Sequence, residues 1–211
     1  MKNETASHVV CLRHAEAQVN VDAYFSSAIP GTPLTERGRR QASAAALNLV
    51  QYDVTAVYAS PLLRARQTGE IVAETLGVPL TLLPDLREVG MGAREETPGT
   101  NAEFFHHPSF QAWLHRTDLD AAFEGGETGR ELMLRMRAAL DTVATEHSGE
   151  TSVVVSHGGS LVAGLLSLCQ DLTYADVEHG VPANGAVIRL ERRDDIWSCR
   201  SWPTADIGTQ G

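Results

Sequence analysis

The stretch His8–Asn20, HVVCLRHAEAQVN, decides the fold. Its first half, Val9-Val10-Cys11-Leu12, is a short apolar run that begins with β-branched residues, the pattern of a buried strand. The run stops abruptly at Arg13-His14. Ligands bind outside the carboxyl ends of strands in open α/β sheets, so an Arg-His pair leaving such a strand stands where chemistry is usually done. Alone, the stretch reads equally well as an ordinary polar strand end, and the rest of the chain has to decide.

Two other runs behave in the same way. Thr151–Ser156, TSVVVS, is the cleanest strand in the sequence and ends at His157-Gly158-Gly159. Val54–Ala59 leads into Ser60-Pro61, which reads as a helix N-cap followed by proline at the first helical position. The helix that follows carries Arg64 and Arg66 in its first turns, reaches Leu76 and stops at Gly77. Pro79–Leu83 is a further strand candidate. Helix formers fill Glu36–Val50 behind the N-cap candidate Thr35, with Ala42, Ala45, Ala46 and Leu49 on one face. Glu127–His147 presents Leu132, Met136, Ala139, Leu140 and Val143. A helix from Gly159 through Leu168 follows the TSVVVS strand. Asn20–Thr32 and Pro84–Glu103 read as loops, Ala102–Arg116 as a helix interrupted near Pro108, and Ala186–Leu190 with Ile196–Trp202 as a terminal hairpin.

Strands alternating with helices predict an α/β fold with three α/β/α layers and a mostly parallel central sheet. One domain over residues 1–211 is expected, with a helical cap-like insertion around 95–125 and a disordered tail from Pro203. The formal net charge of -10 argues against a nucleic-acid or anionic-membrane surface as the main partner, because those need a basic face. Cys11, Cys169 and Cys199 are an odd set without close spacing, which suggests free thiols in a reducing compartment. MKNETASHVV has no apolar signal core, and Leu161–Cys169 is too short to span a bilayer. These features predict a cytoplasmic protein. Exposed helix faces would allow a homodimer, and nothing demands one.

If the strands are neighbours, Arg13, His14, Arg64 and His157 converge at one sheet edge. Two arginines and two histidines make an anion site, most naturally for a phosphoryl group, because the Arg fork matches phosphate oxygens bidentately. The helix after Gly158-Gly159 offers N–H groups and a positive dipole end. Neighbouring arginines disfavour imidazolium, so a histidine there is neutral near pH 7 and can attack phosphorus. The leaving alcohol needs a proton. Glu88, in a glycine-bearing loop after a strand, is the candidate acid, and a phosphate dianion beside a carboxyl favours its protonated form. Glu95 and Glu96 compete with it in the same loop.

Leu12-Arg13-His14-Ala15-Glu16 with Asn20 resembles the L-R-H-G-E-x-x-x-N motif of the histidine phosphatase superfamily, in its phosphoglycerate-mutase-like branch. The resemblance continues in order through Thr32–Gly38, Ala59–Thr68, Leu86-Arg87-Glu88 with Gly92, Gly125–Thr128 and Ser156–Gly159. It implies that His14 is the nucleophile, that Arg13, Asn20, Arg64, His157 and Gly158 bind the phosphoryl group, and that Glu88 is acid and then base. It implies no metal and no cofactor, with a small phosphate ester as substrate. Two departures stand out. Ala15 replaces the family's usual glycine, and Ala93-Arg94-Glu95-Glu96 replaces the aromatic-glycine run that often follows Gly92. The expected activity is a phosphatase. The alternatives are a phosphoglycerate mutase, whose longer cationic insertion is missing between Glu95 and Glu124, and a phospho-ligand-binding protein that has lost turnover. Of the remaining candidates, Phe110 and Trp113 read as core, Arg66 as a surface ion pair, and His106, His107, His115 and Arg116 as a solvated helix face or a specificity pocket. Asn184 reads as a turn residue or a positioner of the pocket loop.

Overall fold

The computed structural model describes residues 6–203. Its six strands form one sheet in the order β3-β2-β4-β1-β5-β6. β1 (Ser7–Arg13) lies beside β4 (Thr151–Ser156) in parallel register, with Arg13 opposite Ser156. β4 pairs in parallel with β2 (Val54–Ala59), and β2 in parallel with β3 (Leu80–Leu82). On the other side of β1 run β5 (Val187–Arg193) and β6 (Ile196–Ser201), an antiparallel hairpin whose first strand opposes β1. The predicted α/β fold with a mostly parallel sheet is therefore observed.

Successive side chains of a strand point to opposite faces, and the two cores divide accordingly. Val10, Leu12, Val57, Ala59, Val153 and Val155 pack with α2 (Glu36–Leu49) and α3 (Leu63–Leu76). Val9, Cys11, Ala56, Tyr58, Val154 and Ile188 pack with α6 (Gly129–Glu146) and α7 (Gly158–Leu168). Strands buried on both sides explain the unbroken apolar runs of the sequence.

Thr35 caps α2 by accepting from the Gly38 amide at 2.9 Å. Gly38 has a further reason to be glycine: a Cβ there would lie 1.9 Å from the Glu16 carbonyl oxygen. That close approach seats α2 against the turn that follows β1. Two boundaries differ from expectation. Ser60-Pro61 is not the start of α3, which begins at Leu63. The Leu63 amide is satisfied instead by the Pro30 carbonyl at 2.7 Å, so the helix has no need of a capping side chain there. The Asn20–Thr32 segment is not all loop, since a short helix, α1 (Gln18–Asp22), precedes the irregular part. As expected, the 102–116 segment is helical with an interruption at Pro108, between α4 (Asn101–Phe105) and α5 (Pro108–Leu114). Their Phe104, Phe105, Phe110 and Trp113 belong to the same core as the sheet. A four-residue helix, α8 (Tyr174–Val177), escaped the sequence reading because one turn carries no periodicity. Residues 204–211 of the expected tail lie outside the described residues. Among the described residues no helix is long and apolar enough to cross a membrane.

Candidate active site

A cavity of about 720 Å³ opens at the carboxyl ends of the parallel strands, and His157, which follows β4, is not among the residues that line it. Arg13, His14, Asn20, Arg64 and Glu88 line it. Arg13, His14, Arg64 and His157 are all buried, at 4%, 2%, 3% and 0% exposure. His157 stands behind His14, with ring centroids 5.1 Å apart.

The His14 ring is held in one state. Its Nδ1 donates to the Ala15 carbonyl at 2.8 Å, which leaves the lone pair on Nε2. Arg64 Nε donates to that lone pair at 3.2 Å. Burial, then Arg64, then Arg13 hold the His14 pKa well below the ordinary imidazole value. Burial and Arg64 lower His157 in the same direction. Both rings are neutral at pH 7. Burial also brings the Arg13 and Arg64 guanidinium groups down to about 10, where they remain charged at neutral pH.

Three buried nitrogens in this cluster have no hydrogen-bond partner among the described residues: Arg13 Nε, Arg64 Nη1 and His157 Nδ1. Buried polar groups are normally paired, so this concentration beside the His14 Nε2 lone pair marks a place prepared for a ligand with several acceptor oxygens. The arginines are otherwise tethered. Arg13 Nη1 donates to the Pro182 carbonyl and Nη2 to Asn101 Oδ1 at 3.4 Å, while Arg64 Nη2 donates to the Ser26 carbonyl at 2.8 Å. His157 Nε2 meets Ser60 Oγ at 2.7 Å. Ser60, read from sequence as a cap, is thus a support of His157.

Glu88 lies at the cavity edge, but its carboxylate is turned onto the start of α7. Oε1 accepts from the Ser160 amide at 2.9 Å and its hydroxyl at 3.0 Å, and Oε2 accepts from the Gly159 amide at 3.3 Å. The expectation that these helix amides face an anionic ligand is therefore corrected: a side-chain carboxylate already occupies them. Gly158 does not line the cavity. It packs beneath Arg13, where a Cβ would come within 3.2 Å of the guanidinium carbon. Asn20 Oδ1 accepts from the Ala17 amide at 3.0 Å and from Asn184 Nδ2 at 3.3 Å, so Nδ2 is the group Asn20 can offer a ligand. Asn184 also donates to the His14 carbonyl at 3.1 Å, which makes it a positioner of the β1 end.

The acid loop has an anchor that sequence reasoning missed. Arg135, 8% exposed on α6, forms a two-pronged ion pair with Glu127 (2.6 and 2.8 Å) and donates to the carbonyls of Asp85, Arg87 and Glu88. Its only signal was an arginine within the apolar face of a helix. Glu95 does not reach the Arg–His cluster; it accepts from the Ser27 and Ala28 amides. Ala15 is fully buried with φ in the ordinary negative range, so the methyl group is accommodated. His107 stacks on Phe123, His115 on Tyr174, and Arg66 pairs with Glu70 at the surface. His106 lines a separate depression beyond Arg13. Among the described residues no group of three or more His, Cys, Asp or Glu side chains is placed to hold a metal ion.

A neutral imidazole, two buried guanidinium groups and an adjacent carboxyl are the parts of a phosphoryl-transfer site. The model of the histidine phosphatase superfamily (branch 1) matches residues 9–204, and the chain belongs to that family. It is similar to the Escherichia coli protein named "Probable phosphoglycerate mutase GpmB", 28% identical over 203 residues, which span 95% of this chain and 92% of the relative. Among solved structures it resembles the mycobacterial glucosyl-3-phosphoglycerate phosphatase Rv2419c (26% identity, TM-score 0.77, covering 93% of this chain and 98% of that one). It shares its fold with phosphoserine phosphatase from Entamoeba histolytica (20% identity, TM-score 0.76, 95% and 98% covered).

Proposed function

We propose that this protein is a phosphatase that hydrolyses small phosphomonoesters through a phosphohistidine on His14, without a metal ion. The observation that carries the reading is the His14 Nε2 lone pair, set beside three buried nitrogens that lack partners. The phosphoryl oxygens take those nitrogens as donors, and Arg64 Nε turns from Nε2 to an oxygen. Nε2 then attacks phosphorus in line as the P–O bond to the alcohol breaks. The arginines offset charge on the equatorial oxygens. Glu88 gives its proton to the departing alkoxide. In the second half Glu88 takes a proton from water, the water oxygen bonds to phosphorus, and the P–N bond breaks to restore neutral His14. Asn20 holds the phosphoryl group from the side, and the buried His157 Nδ1, behind His14, takes an oxygen from beneath. The phosphatases among the structural neighbours support this reading, and the free thiols Cys11, Cys169 and Cys199 suit a reducing cytoplasm.

The test is hydrolysis of p-nitrophenyl phosphate in EDTA by wild type and by His14→Ala. Turnover by wild type that disappears in the variant, with an acid-labile phosphoryl adduct found only on wild type, is the expected result. Absence of turnover and of adduct with every ester tried would move the assignment to a phosphate-binding protein. The name of the Escherichia coli relative favours a mutase as the second reading. Interconversion of 2- and 3-phosphoglycerate outpacing phosphate release would establish it.

A further inference from the structure

Outside the phosphoryl cluster the cavity has two unlike walls. One is apolar: Phe25, Met91 and Phe104 are buried behind it, while Val21 and Tyr24 stand at its rim, 59% and 46% exposed. This wall adjoins Glu88. A point just above Gly159 lies 2.5 Å from the Phe104 ring and 3.1 Å from Glu88 Oε1. The alcohol that receives the Glu88 proton must therefore leave along the apolar side. The wall is also built to stay in place. Gly99 leaves room for the Phe25 ring, since a Cβ there would fall 2.0 Å from it, and the Arg94 guanidinium covers the ring at 5.0 Å. Tyr24 is bridged to Pro98.

Among the described residues, the other wall has one arginine not committed to the phosphoryl group, and that arginine is already paired. Arg13, Arg37 and Arg64 are the arginines among the described residues that line the cavity. Arg13 and Arg64 belong to the phosphoryl group. Arg37 pairs with Glu16 at 3.3 Å. His106 and His179 line the neighbouring depression and not this cavity. A substrate with a second anionic group would have to place it against the apolar wall or share Arg37 with the Glu16 carboxylate.

From these two walls we propose that the substrate is a phosphomonoester of an uncharged alcohol with an apolar or aromatic face, that Tyr24 is its specificity-determining contact, and that compact carboxylated esters such as phosphoglycerate are disfavoured. The turnover part of this inference rests on the phosphatase reading above; the binding part does not. Two phosphonates, which cannot be hydrolysed, separate them. Titration calorimetry with 2-phenylethylphosphonate and with 3-phosphonopropionate should show the phenyl compound binding about tenfold tighter, the order of one aromatic contact added to apolar burial. Tyr24→Ser should remove most of that difference and leave inorganic phosphate affinity unchanged. Equal binding, tighter binding of the carboxylated compound, or a Tyr24→Ser loss shared by inorganic phosphate would overturn the proposal, whether or not the protein turns over any ester. In turnover, 2-phenylethyl phosphate and 3-phosphoglycerate should differ mainly in KM, with the difference shrinking in Tyr24→Ser. A preference that lies wholly in kcat and survives the substitution would also overturn it.

Discussion

At the scale of single residues, Glu88 is the group whose resting contacts and assigned role differ most. At rest both carboxylate oxygens face α7; as an acid, one must face the leaving oxygen. Oε2, with its longer 3.3 Å contact, is the atom free to turn, while Oε1 stays on Ser160. Glu88→Gln keeps the acceptor on Ser160 and removes the proton. For alkyl phosphates, whose alcohol cannot leave without that proton, kcat should fall by about 10²–10⁴-fold. p-Nitrophenyl phosphate, whose leaving group departs as an anion, should lose far less. Measuring kcat for both esters on both proteins checks this, and an equal loss for the two would remove Glu88 from the acid role. The residues at strand ends were legible because a strand that stops at a charged pair is a local pattern. Ser60, Ser160, Asn101 and Arg135 were not, because each acts through a contact far away in sequence, such as Ser160 with the residue 72 positions before it.

At the scale of elements, the loop that carries Glu88 is held by α6. Arg135 reaches three of its carbonyls, and the Gly90 amide donates to Glu127 at 3.2 Å. Both members of the pair are under a tenth exposed. Removing one partner of such a pair leaves the other charge buried, at a cost of about 3–5 kcal/mol. Arg135→Met should therefore lower urea-unfolding stability by that order and reduce kcat more than it raises KM, because the acid loop loses its anchor while the phosphoryl cluster remains. The double variant Arg135→Met with Glu127→Leu should regain much of the stability and little of the kcat. Strands and long helices were readable from their periods and caps, as Thr35 illustrates. The start of α3 was misread because its first amide is satisfied by Pro30, a partner that local sequence rules cannot name. Nor can composition assign α4 and α5 to the main core; their aromatic residues show it only once packed.

At the scale of the whole molecule, two neutral histidines in a buried cationic cluster make stability depend on pH. Their folded pKa values lie below the unfolded value near 6.5. Below pH 6.5 the unfolded chain therefore binds protons that the folded chain refuses, and stability is lost as pH falls through that window. Each ring contributes a slope of about 1.4 kcal/mol per pH unit there. Urea unfolding at pH 7.5, 6.5 and 5.5 should show the decline, and His14→Asn should flatten it by roughly one ring's share. An unchanged slope in the variant would mean that His14 is not the neutral ring of the folded state.

The sheet order also bears on how the chain comes into being. β1 is synthesised before both of its sheet neighbours, which lie in residues 151–156 and 187–193. His14 is thus synthesised well before the strands that flank its own, and β1 is enclosed only once they follow. Until both have been made His14 has no complete sheet to belong to, so a nascent chain halted before β5 holds every described residue that lines the cavity and still lacks the frame that would aim them.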